Sequence, residues 1–567
     1  MKNIRSGLNG AALAFAASLA ACGGGSSDSS TPVTPTATPT GITLSGTAST
    51  GTAISGKTVS AKCAIGNGTG TSKDDGSYSV AIEGGKWPCL AHVTTADGTD
   101  LYTVAAPASS TATTAMANIT PVTQLVVASL AGTAPASYYG AFDATAAAAV
   151  TSTAVVAAQT AVVATLTSGG VANVPADPVS TPVTPAHTAA LTNLGTTLTN
   201  SGTTLADLTT TVATNSTTTV TGVPSVTSGT PSLPADVALR PAASNCAALR
   251  SGTYRLVHPK ANTALADQYG KIVINDVKTM AITFPDGSTG NWAANGPCRY
   301  TGNAGRTDIV VSPSGVVVAR YLADDNVTYL MAIAFPDQSH TQAELVGSWN
   351  AISLNGNNGL FAGVLIRATV DATGAATPTF CGDPTSATWN TSACTTLPSG
   401  TLDFKANPDG GYDSKYGRAF AYRAGGGELM IVEVDGDGSF TIITHQRTNS
   451  LPTVGTVNNS WGLSMGPQLT STSTVSESGN TVTSVDATAG SYVRHTHNPG
   501  TTNDHDETLR VNNPFDGYTH RAPGTAPADD GSTATIRDFT ALGLRGMGMS
   551  VLLLESQKTF FVSVAKP

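Results

Sequence analysis

Charge is scarce in this chain. Asp, Glu, Lys and Arg make up 11% of its 567 residues, against about 25% in an ordinary soluble domain. Positive charge is the scarcer kind: 28 Lys and Arg against 37 Asp and Glu give a net −9. That balance lacks the basic footprint by which proteins grip a phosphate backbone, so no nucleic-acid partner is expected. No apolar run reaches the ~20 residues that a membrane-spanning helix needs. The chain has no C-x-x-C pair, no H-E-x-x-H and no Gly-rich phosphate loop, which removes the zinc, metalloprotease and nucleotide classes most readable from spacing. Thr, Ser, Gly and Ala fill the space that charge leaves.

What is present begins at the N-terminus. Lys2 and Arg5 precede an apolar stretch from Leu8 to Ala20, the length of a signal-peptide core. It ends in Leu19-Ala20-Ala21-Cys22. This run resembles the lipobox of bacterial lipoproteins, which implies cleavage after residue 21 and lipid on Cys22. Losing Lys2 and Arg5 would take the net charge from −9 to −11. Residues 22–40 are mostly Gly, Ser, Thr and Pro; such a segment buries too little apolar surface to fold and reads as a flexible tether. Gly23 rather than Asp follows the cysteine, and the resemblance then implies the outer membrane, with the protein facing periplasm or cell surface.

Cys22 aside, six of the 7 cysteines remain: Cys63, Cys89, Cys246, Cys298, Cys381 and Cys394. An even remainder in an exported chain suggests disulfides. The simplest of the roughly 15 connectivities joins neighbours, Cys63–Cys89, Cys246–Cys298 and Cys381–Cys394.

The fold class expected is multidomain and mainly β. Residues 41–131 alternate and turn as a small β-sandwich, with Lys57–Cys63 as a strand and Asp74-Asp75-Gly76 as a turn. The order "GKTVSAKC … SKDDGSYSVAI … CLAHVT" resembles carboxypeptidase-regulatory or transthyretin-like modules, which implies a scaffold or binding role without catalysis. Residues 141–214 read as a helical hairpin. Its second arm carries Leu191, Leu194, Leu198, Leu205, Leu208 and Val212 at three- and four-residue steps, with Ser201 in the missing slot. Residues 215–242 read as a linker.

Residues 243–567 read as three β-rich repeats, 243–340, 341–450 and 455–567. Tyr254 and Trp349 stand 95 residues apart in matching contexts, as do Pro313 and Pro408. A looser third copy begins at Ser460-Trp461, and Leu509–Tyr518 echoes Leu402–Tyr412. Tyr254, Trp349 and Trp461 are therefore expected at equivalent places. The Gly347-Ser348-Trp349 strand opening is similar to that of calycin-type barrels.

His495 and His497 would share one face of a strand, and His505 and His520 lie near in sequence, so these four form a candidate transition-metal set. Gly462-Leu463-Ser464-Met465-Gly466 fits the spacing of a hydrolase nucleophile elbow, but polar residues precede it and Pro467 follows, so an edge strand is expected. Asp435-Gly436-Asp437-Gly438-Ser439 has a calcium-loop start, yet position twelve is Gln446, so a hairpin turn is expected. Trp292, Trp349, Trp389 and Trp461 are candidates for a sugar-stacking surface. The functional expectation is a lipid-anchored, non-catalytic binding or scaffold protein for a protein or carbohydrate ligand, needing no cofactor. The alternative is an extracellular hydrolase or metal-dependent enzyme. Cys22→Ser should abolish acyl labelling and release the chain from membranes; a variant that stays bound beside an unlipidated wild type refutes the anchor.

Overall fold

The computed structural model describes residues 41–567 except 217–229, 261–262, 303–304, 324, 358–359, 382–393, 467, 472–473, 501 and 555–558. Cys22, the tether, much of the linker and Trp389 lie outside the described residues. No helix among the described residues is long and apolar enough to cross a membrane.

The alternating N-terminal stretch forms two facing sheets. One joins Ile42–Thr47 to Ser77–Ile82 and Thr114–Met116; the other runs Asn67–Thr71, Thr58–Ile65, Lys86–Thr94, Asp100–Ala105. Val59, Ala61 and Cys63 point inward from one strand and Tyr78, Val80 and Ile82 from the facing sheet, as a period of two requires. Cys63 stands directly opposite Cys89 in the ladder, and the two are bonded. The other bridges are Cys246–Cys298 and Cys381–Cys394, the neighbour pairing expected.

Residues 121–131 are helix rather than sandwich. Pro121–Ala131 opens with a reciprocal Thr120/Thr123 capping box and buries every residue from Val122 onward. It packs on the strand Asp100–Ala105 and on two further helices, Ser152–Ser168 and Leu205–Thr214. The helical segment is thus built around Pro121–Ala131, which sequence periodicity alone did not include. The apparent heptad seam is two helices. Pro185–Ser201 stops at Gly202, whose φ of 66° closes the left-handed cap, and Leu205–Thr214 restarts behind a Thr204/Asp207 capping box. Ser201, the gap in the seam, is the last residue of the first helix. Sandwich and helices share a single apolar core.

The C-terminal half is three rings of antiparallel strands. The first closes eight strands from Gly252–Val257 to Tyr329–Pro336, and the third closes eight from Val457–Met465 to Thr559–Ala565. Between them a nine-stranded sheet also closes. Its strand Ala375–Cys381 pairs both with Leu360–Val370 and with Leu402–Ala406, leaving Cys394–Thr396 as an appended ninth. A closed ring has no free edge.

Register decides which residues face each lumen. In the first barrel Tyr254 is opposite Ile272, and Ile309 opposite Ala319; these point in, while Lys271 and Asn291, of opposite parity, are exposed. In the middle barrel Trp349, Ala351, Ile366, Ile431 and Ile443 point in and form a separate core. Tyr254 and Trp349 are equivalent in detail. Each lies on the first strand between the second and the last. The Tyr254 hydroxyl donates to the Arg250 carbonyl at 3.0 Å and the Trp349 indole donates to that of Leu345 at 2.8 Å, four residues back in both cases.

Two expected equivalences fail. Trp461 is on the first strand of the third barrel, but Ser460 holds the inward parity and Trp461 faces out, with the Lys566 ammonium 5.7 Å from its ring. A one-residue shift of phase moves a side chain to the other face. The Pro313 turn joins the sixth and seventh strands of its barrel, whereas the Pro408 turn joins the fourth and fifth of its own. The two turns share chemistry, each closed by a glycine at positive φ (Gly315 85°, Gly410 94°), without sharing a place in the topology. The turn before Tyr518 does join a fourth and fifth strand, so the Leu402/Leu509 echo is the topologically matching one.

The barrels pack through their outer faces into a common core. The Phe440 and Phe560 rings meet edge to face at 5.5 Å between the middle and third barrels. The Tyr518 hydroxyl of the third barrel donates to the Ile366 carbonyl of the middle one at 2.9 Å. The Arg255 guanidinium of the first barrel lies 4.3 Å over Phe420 of the middle one. Trp349→Ala should cost about 3–5 kcal/mol, the range for emptying a filled aromatic site. A chemical-denaturation shift below about 1 kcal/mol would show that the middle lumen is not held together by this ring.

Candidate functional site

Three rings of similar strand number differ in what fills them. Eight strands leave an interior that side chains just fill or that holds one small ligand. Among the described residues the middle lumen is packed: Trp349, Phe404 and their neighbours line a cavity of about 40 Å³. The first lumen keeps a cavity of about 670 Å³, lined chiefly by apolar groups including Leu256, Phe284, Trp292 and Ala332. The third keeps about 680 Å³ and is lined by Asn458, Ser460, Ser478, Tyr492, Arg494 and Glu507 together with Phe539 and Phe561. Small side chains recur where bulk would close it, as at Ala541, Gly543 and Ser563.

The third lumen carries charge. Inward parity places Arg494 opposite Glu507, and Arg521 opposite Phe539. Arg494 donates from Nε at 3.1 Å and Nη2 at 2.9 Å to Glu507 Oε2. Arg521 Nη1 donates to Oε1 of the same carboxylate, and its Nε donates to the Arg537 carbonyl at 2.8 Å. The Arg521 guanidinium lies 4.3 Å over the Phe539 ring, a cation–π arrangement. Glu507 is buried. Burial raises its pKa, but Arg494 and Arg521 outweigh burial and hold the carboxyl below its ordinary value. Within this group two guanidiniums share one carboxylate, a net of one positive charge, with Asp538 also acting on Arg521 from nearby.

The four histidines separate. His495 and His497 stand on the outer face of Ser491–His497, their rings 5.0 Å apart. His495 Nδ1 is 2.9 Å from Asp506 Oδ1 and its Nε2 is 3.2 Å from Asp529 Oδ2. His497 Nδ1 is 3.9 Å from Asp504 Oδ2. The hydrogen bond with Asp506, then Asp529 and Asp504, raises the His495 pKa against a smaller effect of burial. His505 leaves the set because its parity is that of Glu507: it is buried, with Nδ1 2.8 Å from the Asn503 carbonyl and Nε2 3.4 Å from Glu507 Oε1. His520 leaves it for distance. It pairs with Arg510, which pairs with Ser491, four residues along the strand from His495, about 13 Å at the strand rise. Asp504 and Asp529, both on loops, were not in the expected set; the Asp-rich turns around them were the available signal.

Ser464 sits on the unbroken strand Val457–Met465 opposite Phe561, not on a strand–turn–helix elbow. Asp435–Ser439 is a hairpin turn, closed by Asp435 N donating to Ser439 O at 2.9 Å and Gly438 N to Asp435 O at 3.0 Å. Trp292 and Trp349 are enclosed in two different barrels and Trp461 is buried on an outer face, so these three build no common stacking surface.

No protein-family model matches the sequence, and no curated protein does. Among solved structures, a DUF3598-family protein of unknown function from Nostoc punctiforme matches at 9% identity and a TM-score of 0.16, over 40% of this chain and 99% of that one. A point mutant of transferrin-binding protein B from Haemophilus parasuis matches at 11% identity and a TM-score of 0.16, over 56% and 76%. The isotype 1 transferrin-binding protein B of serogroup B Neisseria meningitidis matches at 9% identity and 0.15, over 53% and 62%. TM-scores this low carry no argument about fold, ligand or activity.

Removing the carboxylate from the third lumen would leave two partly buried guanidiniums without the acceptor they share. Glu507→Gln should destabilise by about 3 kcal/mol, the lower end for breaking a buried pair, whereas Glu477→Gln, whose partly exposed carboxylate pairs with Lys566 and Arg299, should cost about 0–1 kcal/mol. Because the Glu507 pKa is depressed, its stabilisation is complete above the ordinary carboxylate range. It is lost as the pH falls through the lowered value. Equal denaturation midpoints for the two variants would contradict the assignment.

Proposed function

We propose that this chain is a lipoprotein, anchored outside the cytoplasm through Cys22, whose third barrel binds a small amphipathic organic anion. The observation that carries the reading is the third lumen itself, a cavity of about 680 Å³ holding an Arg494–Glu507–Arg521 group in a wall that otherwise mixes Ser, Asn and Thr with leucines and aromatic rings. The middle barrel serves as the internal control. The same closure and similar strand count there end in a packed core, so an open third lumen is a property of its side chains and not of the ring. Ligand sites commonly combine aromatic area with a few placed polar groups. Here Tyr492, Phe539 and Phe561 supply the area, and the excess guanidinium charge selects an anion. The reading needs no catalysis and no cofactor.

Anilinonaphthalene sulfonate, an aromatic anion, is a direct probe. Its fluorescence titration on the full chain should show a site that Ala541→Trp, which fills the third lumen, removes. Ala332→Trp, which fills the first, should leave that site intact. Arg521→Gln should weaken it by about tenfold, the loss of one charge-assisted hydrogen bond at ~1.4 kcal/mol. Loss of the site in Ala332→Trp with retention in Ala541→Trp would move the function to the first barrel and refute the anion reading.

A further inference from the structure

The strand Ser491–His497 serves both faces of the third barrel. Arg494 and Thr496 point into the lumen, and His495 and His497 point out. On the outer side, two loops bring carboxylates to the imidazoles. Asp504 ends the turn after this strand, and Asp529 lies between the strands Gly524–Pro527 and Thr533–Ile536.

We propose that His495, His497, Asp504 and Asp529 bind one transition-metal dication of the zinc class on the outer face of the third barrel. Donor atoms of His495, His497 and Asp504 already lie within 4.8 Å of one another. The His495 Nε2 to Asp529 Oδ2 separation is 3.2 Å, which matches the edge of about 3.3 Å that a tetrahedron with bonds near 2.05 Å requires. His497, half exposed, meets the Thr481 hydroxyl through Nε2 at 3.2 Å and turns Nδ1 to Asp504 Oδ2 at 3.9 Å.

Three features set this group apart from a chance meeting of surface residues. His495 Nδ1 is 2.9 Å from Asp506 Oδ1, so its N–H has a carboxylate acceptor while Nε2 turns to Asp529. That is how metal-bound imidazoles are oriented. The loops are also tied to each other before any ion arrives: Asn498 N donates to Asp504 Oδ1 at 3.0 Å, and Asp529 N donates to the Asp504 carbonyl at 2.9 Å. Finally, Asp504, Asp506 and Asp529 put three carboxylates around two imidazoles, a negative excess that a dication neutralises. Two nitrogens with two carboxylate oxygens suit zinc, or cobalt as its spectroscopic substitute, better than the all-oxygen shell of calcium. The site does not rest on the lumen reading, since its ligands have the opposite parity.

Titration of the full chain with Co²⁺ alone should give the visible absorption of a tetrahedral ion at one equivalent, and Zn²⁺ should displace it. His497→Ala and Asp504→Asn should abolish the spectrum. Asp506→Asn should weaken binding by about 10- to 100-fold, as loss of an orienting carboxylate does, and His520→Gln should leave it unchanged. All four positions are on the barrel's outer face or a surface loop, and unchanged circular dichroism would confirm that each variant folds. An absent or octahedral cobalt spectrum overturns the proposal. So does a His497→Ala variant that binds like wild type, or a His520→Gln variant that does not bind.

Discussion

Closure of a β-sheet on itself assigns every residue to one of two environments, and the register of pairing makes the assignment. Once Ser460 faces the lumen of the third barrel, Asn458, Ser478, Arg494, Glu507 and Arg521 face it too, through a chain of direct cross-strand partners. Trp461, Leu463, Val562 and Val564 then must face out. No rotamer change can move a member of one set to the other. The mixed, charge-bearing lumen and the apolar outer wall are therefore two consequences of a single phase.

Neighbouring rings share an apolar outer wall and differ in what the same alternation puts inside. In the middle barrel large apolar groups point both ways, and those that point in, such as Trp349, Ile366 and Ile431, make the lumen part of the fold's core. In the third, most of the large apolar groups point out, toward the other two barrels, and lie in the core common to all three. A barrel standing alone with that outer wall would expose Leu463, Leu553 and Phe560 to water. Packed in place, it draws its cohesion from its neighbours and can leave its own lumen open. The Arg494–Glu507–Arg521 group fits the same logic. The Glu507 carboxylate is buried at a desolvation cost that pairing offsets, and it accepts from both guanidiniums.

Much of this was legible in the sequence, and two of the failures, Trp461 and His505, share one cause. Disulfide pairing came from neighbour order, because each bridged pair sits within one module. The hairpin at Asp435–Ser439 came from turn chemistry, which is local. Equivalence of Tyr254 and Trp349 came from a repeat whose phase is kept. Trp461 looked equivalent by position but not by phase, and phase is set by partners a hundred residues away. His505 was lost to the metal set for the same reason: two residues from Glu507, it takes the lumen's side. The heptad seam misled differently, since a left-handed glycine at Gly202 divides a pattern that hydrophobic spacing alone shows as continuous.

The strand Ser491–His497 carries side chains of both sites. Its alternation gives Arg494 to the lumen and His495 to the outer face, and the facing strand repeats the pattern with Glu507 in and Asp506 out. A charged pair inside and a His–Asp pair outside therefore sit back to back on the same two backbones. Any force that shifts one strand against the other must disturb both pairs at once. Side-chain fixation on the outer face and at Arg494 thus share the strand pairing as their support. Geometry at either site depends less on its own few contacts than on a ladder that the whole ring holds closed.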